Sequence, residues 1–344
     1  MMATPTQARS ITAVIDLRYG DCGKGAVCYD LLSPTKHTHV LRFNGGGNAG
    51  HTIYHDGKKL VTHQIPCGVL KGVKSVIGPG CVVDVEKLQE EIKYLENNGV
   101  KNVRHLLKIA KNAHLVTSAY KEEEVKETKI GTTKTGNGPA YREKYNRTGV
   151  RAESLKSSNL FGPMLVDMYD EFYKAKEPLT ILAEGAQGFY LDVDWGDYPY
   201  VTSSNCGVSA VLQNGFTHRD IVFVAGVAKA YDTYVGAKQF ETPNDATLQK
   251  LREVGQEYGS TTGRPRQCNW LNLDETIKAA KMNAVNVLYI KKLDILSQVG
   301  VWKFFHNGRL VSCSSETDFT EEVAIRVTAD AGVPVYFSKN AKGI

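Results

Sequence analysis

Residues 11–17 form the apolar run "ITAVIDL", which ends in a glycine-rich turn, "RYGDCGKGAV", and passes straight into residues with helical spacing. A short, continuous apolar run bounded by glycines reads as a strand buried on both faces, and such a strand needs helices to cover it. Residues 24–32 supply the first of them. The same arrangement recurs: "HVLRF" reads as a second strand, and "SVIGPG", "LTILAEGAQG", "DIVFVAGVAK" and "NVLYIKKLD" each end an apolar run in glycine or a charged group. Buried strands of an α/β sheet deliver functional loops at their carboxyl ends in this way. Helical segments at 85–97 and 274–282 lie between them. Hairpins are expected at Asp56-Gly57 and Asn307-Gly308, and a helix near 319–331 followed by the strand "VPVYF" closes the chain. The expected fold is α/β: one large domain, 1–344, around a central mostly parallel sheet with peripheral hairpins.

The 344 residues can bury a large core, and 42% hydrophobic with 23% charged residues is ordinary for a globular chain. A net charge of +5 suits anionic small molecules, but no Lys/Arg block is dense enough to argue for nucleic acid or membrane. The seven cysteines are odd in number and form no CxxC pair, which points to reduced thiols and a cytoplasmic setting. The start, "MMATPTQARS", has no apolar signal core.

The loop departs from a Walker phosphate motif, G-x-x-x-x-G-K-[ST]. Arg18 stands where the first glycine belongs, and Gly25 replaces the Ser/Thr, so a switch-type GTPase is disfavoured. Strand, glycines and Lys24 at a helix start still suit an anion. A carboxylate in a phosphate cradle repels its ligand unless a cation or a proton transfer is involved. Asp21 is therefore read as a Mg²⁺ ligand, a base, or both.

Further clusters follow: "FNGGGNAGHT", "KIGTTKTGNGPAYREKYNR", "EGAQGF", "YPYVTSSN", "YGSTTGRPR" and "KKLD". In this order the series resembles the adenylosuccinate synthetase family, over about residues 11–294 plus the terminal strand. That resemblance implies a homodimeric α/β ligase. It joins the amine of L-aspartate to C6 of a 6-oxopurine nucleotide at the expense of a nucleoside triphosphate. The purine oxygen is a poor leaving group and is first phosphorylated, which a carboxylate base assists by removing the N1 proton.

Carried over residue by residue, the resemblance makes Asp21 that base and a Mg²⁺ ligand, with the Gly50 carbonyl as second ligand. His51 assists transfer and departure of phosphate, whereas His55 is read as a hairpin residue. Gly20, Gly23, Lys24, Gly25, Gly50 and Thr52 hold the donor's phosphates, and Lys292 and Asp294 meet its base, favouring GTP. Asn48, Thr132, Thr133, Gln187 and Thr202 receive the acceptor nucleotide, with Arg147 reaching across to the partner's site. Thr261, Thr262, Arg264 and Arg266 bind L-aspartate, whose carboxylates suit guanidinium forks.

The chain departs from the family's usual spelling at Asp16, Arg18, Tyr19 and Cys22. It also reads "RPRQ" in place of four arginines and ends "SKNAKGI", which weakens the choice of GTP over ATP. "VIDLRYGDCGKG" and "ILAEGAQGF" are similar to the phage branch that aminates (deoxy)guanylate toward diaminopurine nucleotides; a phage-encoded chain would work in a host cytoplasm. The usual Ser/Thr of that branch is replaced by Asp21. The reading therefore leans to GMP or dGMP as acceptor, with IMP as the alternative. A non-catalytic nucleotide sensor is disfavoured because Asp21 and His51 are both present.

Overall fold

The computed structural model describes residues 9–259 and 263–338. Its centre is a nine-stranded sheet in the order Val335–Phe337, Val287–Lys291, Ile221–Lys229, Arg9–Asp16, Leu179–Glu184, His39–Arg42, Lys74–Ile77, Leu107–Ala110 and Leu165–Val166. Every neighbouring pair is parallel, so the sheet goes further than the mostly parallel one expected. Arg9–Asp16, here β1, sits near the middle, with Ala13 opposite Ala183 on one side and Val224 on the other.

The apolar runs are continuous because both faces of the sheet are covered. Successive residues alternate between two cores: Ile11, Ala13 and Ile15 pack into one, Val14 into the other. Leu41 and Val40, Ile181 and Leu182, and Leu288 and Val287 divide in the same way. With a side-chain period of two, a strand that is apolar at every position serves both faces.

The helix expected at 85–97 is Val85–Asn97, and Asp84 caps it by accepting from the Lys87 amide at 3.2 Å. Leu88, Ile92 and Leu95 form its buried stripe. Glu91, also buried, accepts from the amides of His63, Gln64 and Ile65, tying the helix to the end of the hairpin His51–His55/Lys58–Thr62. The late hairpin, Trp302–His306 with Arg309–Cys313, turns where the sequence implied.

That hairpin is half of a second, four-stranded sheet, in which Tyr231–Tyr234 and Gln267–Asn272 are the other two strands. The sequence reading missed this sheet. "YDTY" and "QCNWLN" are short and partly polar, and a distant partner holds them: Arg18 makes a two-pronged bond to buried Asp232 at 2.8 and 2.7 Å. All seven cysteines are free, and no helix among the described residues is long and apolar enough to cross a membrane.

Neighbouring loops at the carboxyl edge pack by their backbones. A Cβ on Gly78 would lie 2.1 Å from Asn214 Oδ1, and one on Gly80 would lie 2.0 Å from the Phe43 carbonyl. Buried Asn214 joins three segments, donating to the Phe43 and Ala210 carbonyls at 2.9 and 2.7 Å and accepting from the Gly80 amide at 3.2 Å. Asn214→Ala is expected to lower stability by about 2 kcal/mol, because two buried carbonyls lose their donor. Urea unfolding with an unchanged m-value is the measurement.

Candidate active site

The candidate residues converge at the carboxyl edge of the central sheet. There Asp16 ends β1, and its carboxylate organises the loop that follows. One oxygen accepts from the Arg18 and Gly20 amides at 2.9 and 3.2 Å, the other from the Cys22 amide at 3.0 Å and Lys24 Nζ at 3.2 Å. The loop turns through the left-handed region at Gly20, Asp21 and Gly23, with φ of 84°, 57° and 92°. These inward bonds use the convergent amides that a phosphate loop would offer its ligand. Lys24 also points inward, donating to the Gln187 carbonyl at 2.5 Å. Its ammonium, expected at the donor's phosphates, is thus held beneath the loop.

The buried Cys22 thiol packs under the loop, 3.4 Å from the Gly20 carbonyl, and burial raises its pKa well above the usual range. Asp21, by contrast, faces outward with its side chain about one-third exposed, and its Oδ2 lies 3.0 Å from Arg266 Nη2. Arg266 also pairs with buried Glu257, which Lys229 Nζ reaches at 3.2 Å. Burial opposes the charge on Glu257, but Lys229, Arg266 and Lys292 outweigh it and hold this carboxyl down to about 2.

The helix Lys24–Leu31, α1, starts at Gly23 without a side-chain cap, leaving its first amides to whatever enters the cleft. Gly25 is required there: a Cβ would sit 2.5 Å from that of His51. A Walker Ser/Thr cannot occupy this position while His51 keeps its place.

His51 is buried between two groups that belong to different strands. Its Nδ1 is 2.6 Å from Glu184 Oε1, and its Nε2 is 3.3 Å from Arg42 Nη1. Burial lowers the imidazole pKa to about 4, Arg42 adds to the effect, and Glu184 only partly offsets it. Burial works against the Glu184 charge as well, yet Arg42, His51 and the Cys67 amide hold its pKa down to about 2. The ring is therefore neutral and the carboxylate ionised at neutral pH. Neither Glu184 nor Arg42 was singled out in the sequence. The available signal was a charged residue closing the apolar run "LTILAEG" and one set inside the otherwise apolar "VLRF".

Asp21, His51, Asn48, Gly50, Thr52, Thr132, Thr133, Gln187, Thr202, Arg264, Arg266 and Lys292 line one cleft of about 830 Å³, together with Gly20, Gly23, Lys24 and Gly25. Gln187 donates to Asn48 at 2.9 Å, Thr133 bonds Thr135 at 3.0 Å, and Arg264 donates to the Gly131 carbonyl at 2.9 Å. Tyr19 and Tyr234, packed edge to face at 5.6 Å, also line the cleft, as does Tyr200; the sequence reading did not anticipate these aromatic residues there.

Two expected residues lie elsewhere. Arg147 is exposed at the left-handed end of the helix Asn137–Asn146, and Asp294 sits in the first turn of Leu293–Val299; neither lines the cleft. Thr261 and Thr262 lie outside the described residues. Among the described residues no group of three or more His, Cys, Asp or Glu is poised around a metal. One carboxylate, Asp21, and one carbonyl, Gly50, on the same cleft nevertheless fit Mg²⁺, which keeps waters and takes other ligands from phosphate.

The His51 pKa makes stability depend on pH. Above 6.5 the ring is neutral both folded and unfolded. Between 6.5 and about 4 the unfolded chain binds a proton that the folded chain refuses, so stability falls as pH falls through that window. His51→Asn, which can still donate to Glu184, is expected to remove up to ~3 kcal/mol of that fall. Urea midpoints of both proteins from pH 7 to 4 measure it.

The pattern of the adenylosuccinate synthetase family matches residues 13–175 and 159–305. The chain is 39% identical over 333 residues to the adenylosuccinate synthetase of Picrophilus torridus, covering 84% of this chain and 78% of that one. It is 40% identical over 332 residues to that of Aquifex aeolicus, covering 82% and 76%. The fully ligated adenylosuccinate synthetase of Plasmodium falciparum superposes with a TM-score of 0.83 at 28% identity, covering 97% of this chain and 98% of that one. The succinoaminodeoxyadenylate synthetase PurZ of cyanophage S-2L, bound to dGMP and dATP, gives 0.71 at 21% identity, covering 93% and 99%. The latter likeness shows the fold alone, so the lean toward the phage branch finds weak support, and the similar relatives carry the ordinary name. With the family pattern spanning most of the chain and relatives near 40% identity, this protein belongs to the adenylosuccinate synthetase family and is a ligase of that type.

Proposed function

We propose that the chain joins L-aspartate to C6 of inosine monophosphate, with hydrolysis of a nucleoside triphosphate, through a 6-phosphoryl intermediate. This reverses the preference for GMP or dGMP drawn from the loop spelling. What supports it is the joint presence of Asp21 and His51 on one cleft in a chain about 40% identical to adenylosuccinate synthetases.

In this reading Asp21 takes the purine N1 proton, which makes O6 nucleophilic toward the terminal phosphoryl group. Arg266, 3.0 Å away, fixes the direction of that carboxylate. Asn48, Gln187, Thr132, Thr133 and Thr202 offer neutral partners to the acceptor nucleotide. The cleft-facing amides at the start of α1, with Gly50 and Thr52, meet the donor's phosphates. Lys24 contributes by bracing the loop, since its ammonium is engaged with Asp16 and Gln187. Asp21 and the Gly50 carbonyl would hold Mg²⁺, which supplies charge neutralisation on the phosphates when bound. Arg264 and Arg266 take the carboxylates of L-aspartate. His51 donates to the phosphoryl oxygen as phosphate leaves; a ring whose one N–H is given to Glu184 must first gain a proton on Nε2 to do so. Arg147, exposed and away from the cleft, is assigned to a second copy's nucleotide in a homodimer. Lys292 and Asp294 are assigned to the donor's base.

With L-aspartate, Mg²⁺ and GTP or ATP, phosphate release is expected with IMP and not with GMP or dGMP; turnover confined to GMP or dGMP would reverse the choice of acceptor. Asp21→Ala and His51→Ala are each expected to lower kcat by roughly 10²–10⁴-fold in folded protein, the range for a positioned acid or base. Arg264→Ala should raise KM for L-aspartate about 10–100-fold, as loss of a charge-assisted hydrogen bond does, while KM for IMP changes little.

A further inference from the structure

We propose that Glu184 is a positioning residue for this ligase, holding His51 in the tautomer with its proton on Nδ1 and its lone pair on Nε2. The proposal rests on the role given to His51 above and extends it to a residue that does not itself line the cleft.

Three observations carry it. First, Glu184 is fully buried, and a buried carboxylate is costly unless its oxygens are matched by donors. Its shortest contact is His51 Nδ1 at 2.6 Å, with the Cys67 amide at 2.8 Å on the other oxygen and Arg42 Nη2 farther away at 3.4 Å. A carboxylate placed only to neutralise Arg42 would lie closest to Arg42. Second, both neighbours of the ring select one tautomer. A carboxylate accepts, so Nδ1 carries hydrogen; a guanidinium donates, so Nε2, 3.3 Å from Arg42 Nη1, carries the lone pair. Third, the ring is confined against α1, where Gly25 leaves no room for a Cβ. The ring's orientation is thus set by Glu184, Arg42 and α1 together, which come from three separate segments.

The chemistry follows. Arg42 opposes a positive ring. Glu184 is the anion in contact with the ring and fixes Nδ1 as its hydrogen-bearing atom. No other carboxylate among the described residues bonds this ring. Orienting carboxylates of this kind set both the tautomer and the basicity of a working histidine.

Nitrogen-15 NMR of the histidine rings in the full chain, with His51→Asn identifying the signal, should show His51 protonated on Nδ1 and bare on Nε2 at neutral pH. A ring protonated on Nε2 would overturn the proposal, and this readout stands even if the acceptor or the ligase reading is wrong. Glu184→Gln, which keeps shape and removes charge, should lower kcat roughly 10²-fold, the lower end of a general acid's contribution, with KM for either substrate little changed. Its His51 ring should also lose the fixed Nδ1–H tautomer in the nitrogen-15 spectrum. Unchanged kcat, or a lowered kcat with the wild-type tautomer retained, would make Glu184 merely structural. If the Gln variant does not fold, the wild-type tautomer decides the question alone. Normal turnover in His51→Asn would instead remove the role of His51 and leave the tautomer result intact.

Discussion

The cleft is built outward from one buried carboxylate. Asp16, at the end of the central strand, gathers three amides and the Lys24 ammonium, and these four bonds curl the following loop back on itself. With its amides drawn inward, the loop presents a side chain, Asp21, where a phosphate loop presents backbone. The same curl sets α1 at the depth where Gly25 meets His51. One acid beneath the loop thus determines which acid above it faces the substrates. The sequence reading noted Asp16 only as a departure from the family's usual spelling; in the structure that departure is the organiser.

Charges paired out of water extend the same frame. Arg18 leaves the loop to bond Asp232 and Glu275, tying β1 to the second sheet. Lys229, Glu257, Arg266 and Asp21 form a chain of alternating sign from the end of the neighbouring strand to the cleft. Buried pairs add little net stability, because removing their charges from water costs nearly what the attraction returns. Breaking one, however, strands its partner, so such chains hold geometry strictly. Arg266 is the link at which that geometry touches the cleft: it directs Asp21 and is also the cation assigned to L-aspartate. Glu184 does for His51 what Arg266 does for Asp21.

Much of this was legible in the chain itself. Residues 11–17, 179–184, 221–229 and 287–291 declare a parallel sheet because only strands covered on both faces are apolar at every position. Asp21 was legible because a carboxylate in a phosphate cradle calls for a cation or a proton transfer, and His51 through the motif order that carries the family resemblance. The second sheet was not legible, since Tyr231–Tyr234 and Gln267–Asn272 have no pattern of their own and depend on Arg18 from far along the chain. Nor was the orientation of Lys24 legible. A lysine at a helix start is expected to face an anion, and only the fold shows that the anion is Asp16.

The sequence by itself determined the parallel sheet, the loops at its carboxyl edge and the family, because local pattern and motif order are carried by neighbouring residues. The tertiary structure alone decided which charges meet. His51 and Glu184 are 133 positions apart, Arg18 and Asp232 are 214 apart, and Asp21 meets Arg266 across most of the chain. Electrostatic contacts act over a few ångströms of space whatever the separation in sequence, so the partner that sets a residue's proton and direction is known only once the strands lie side by side.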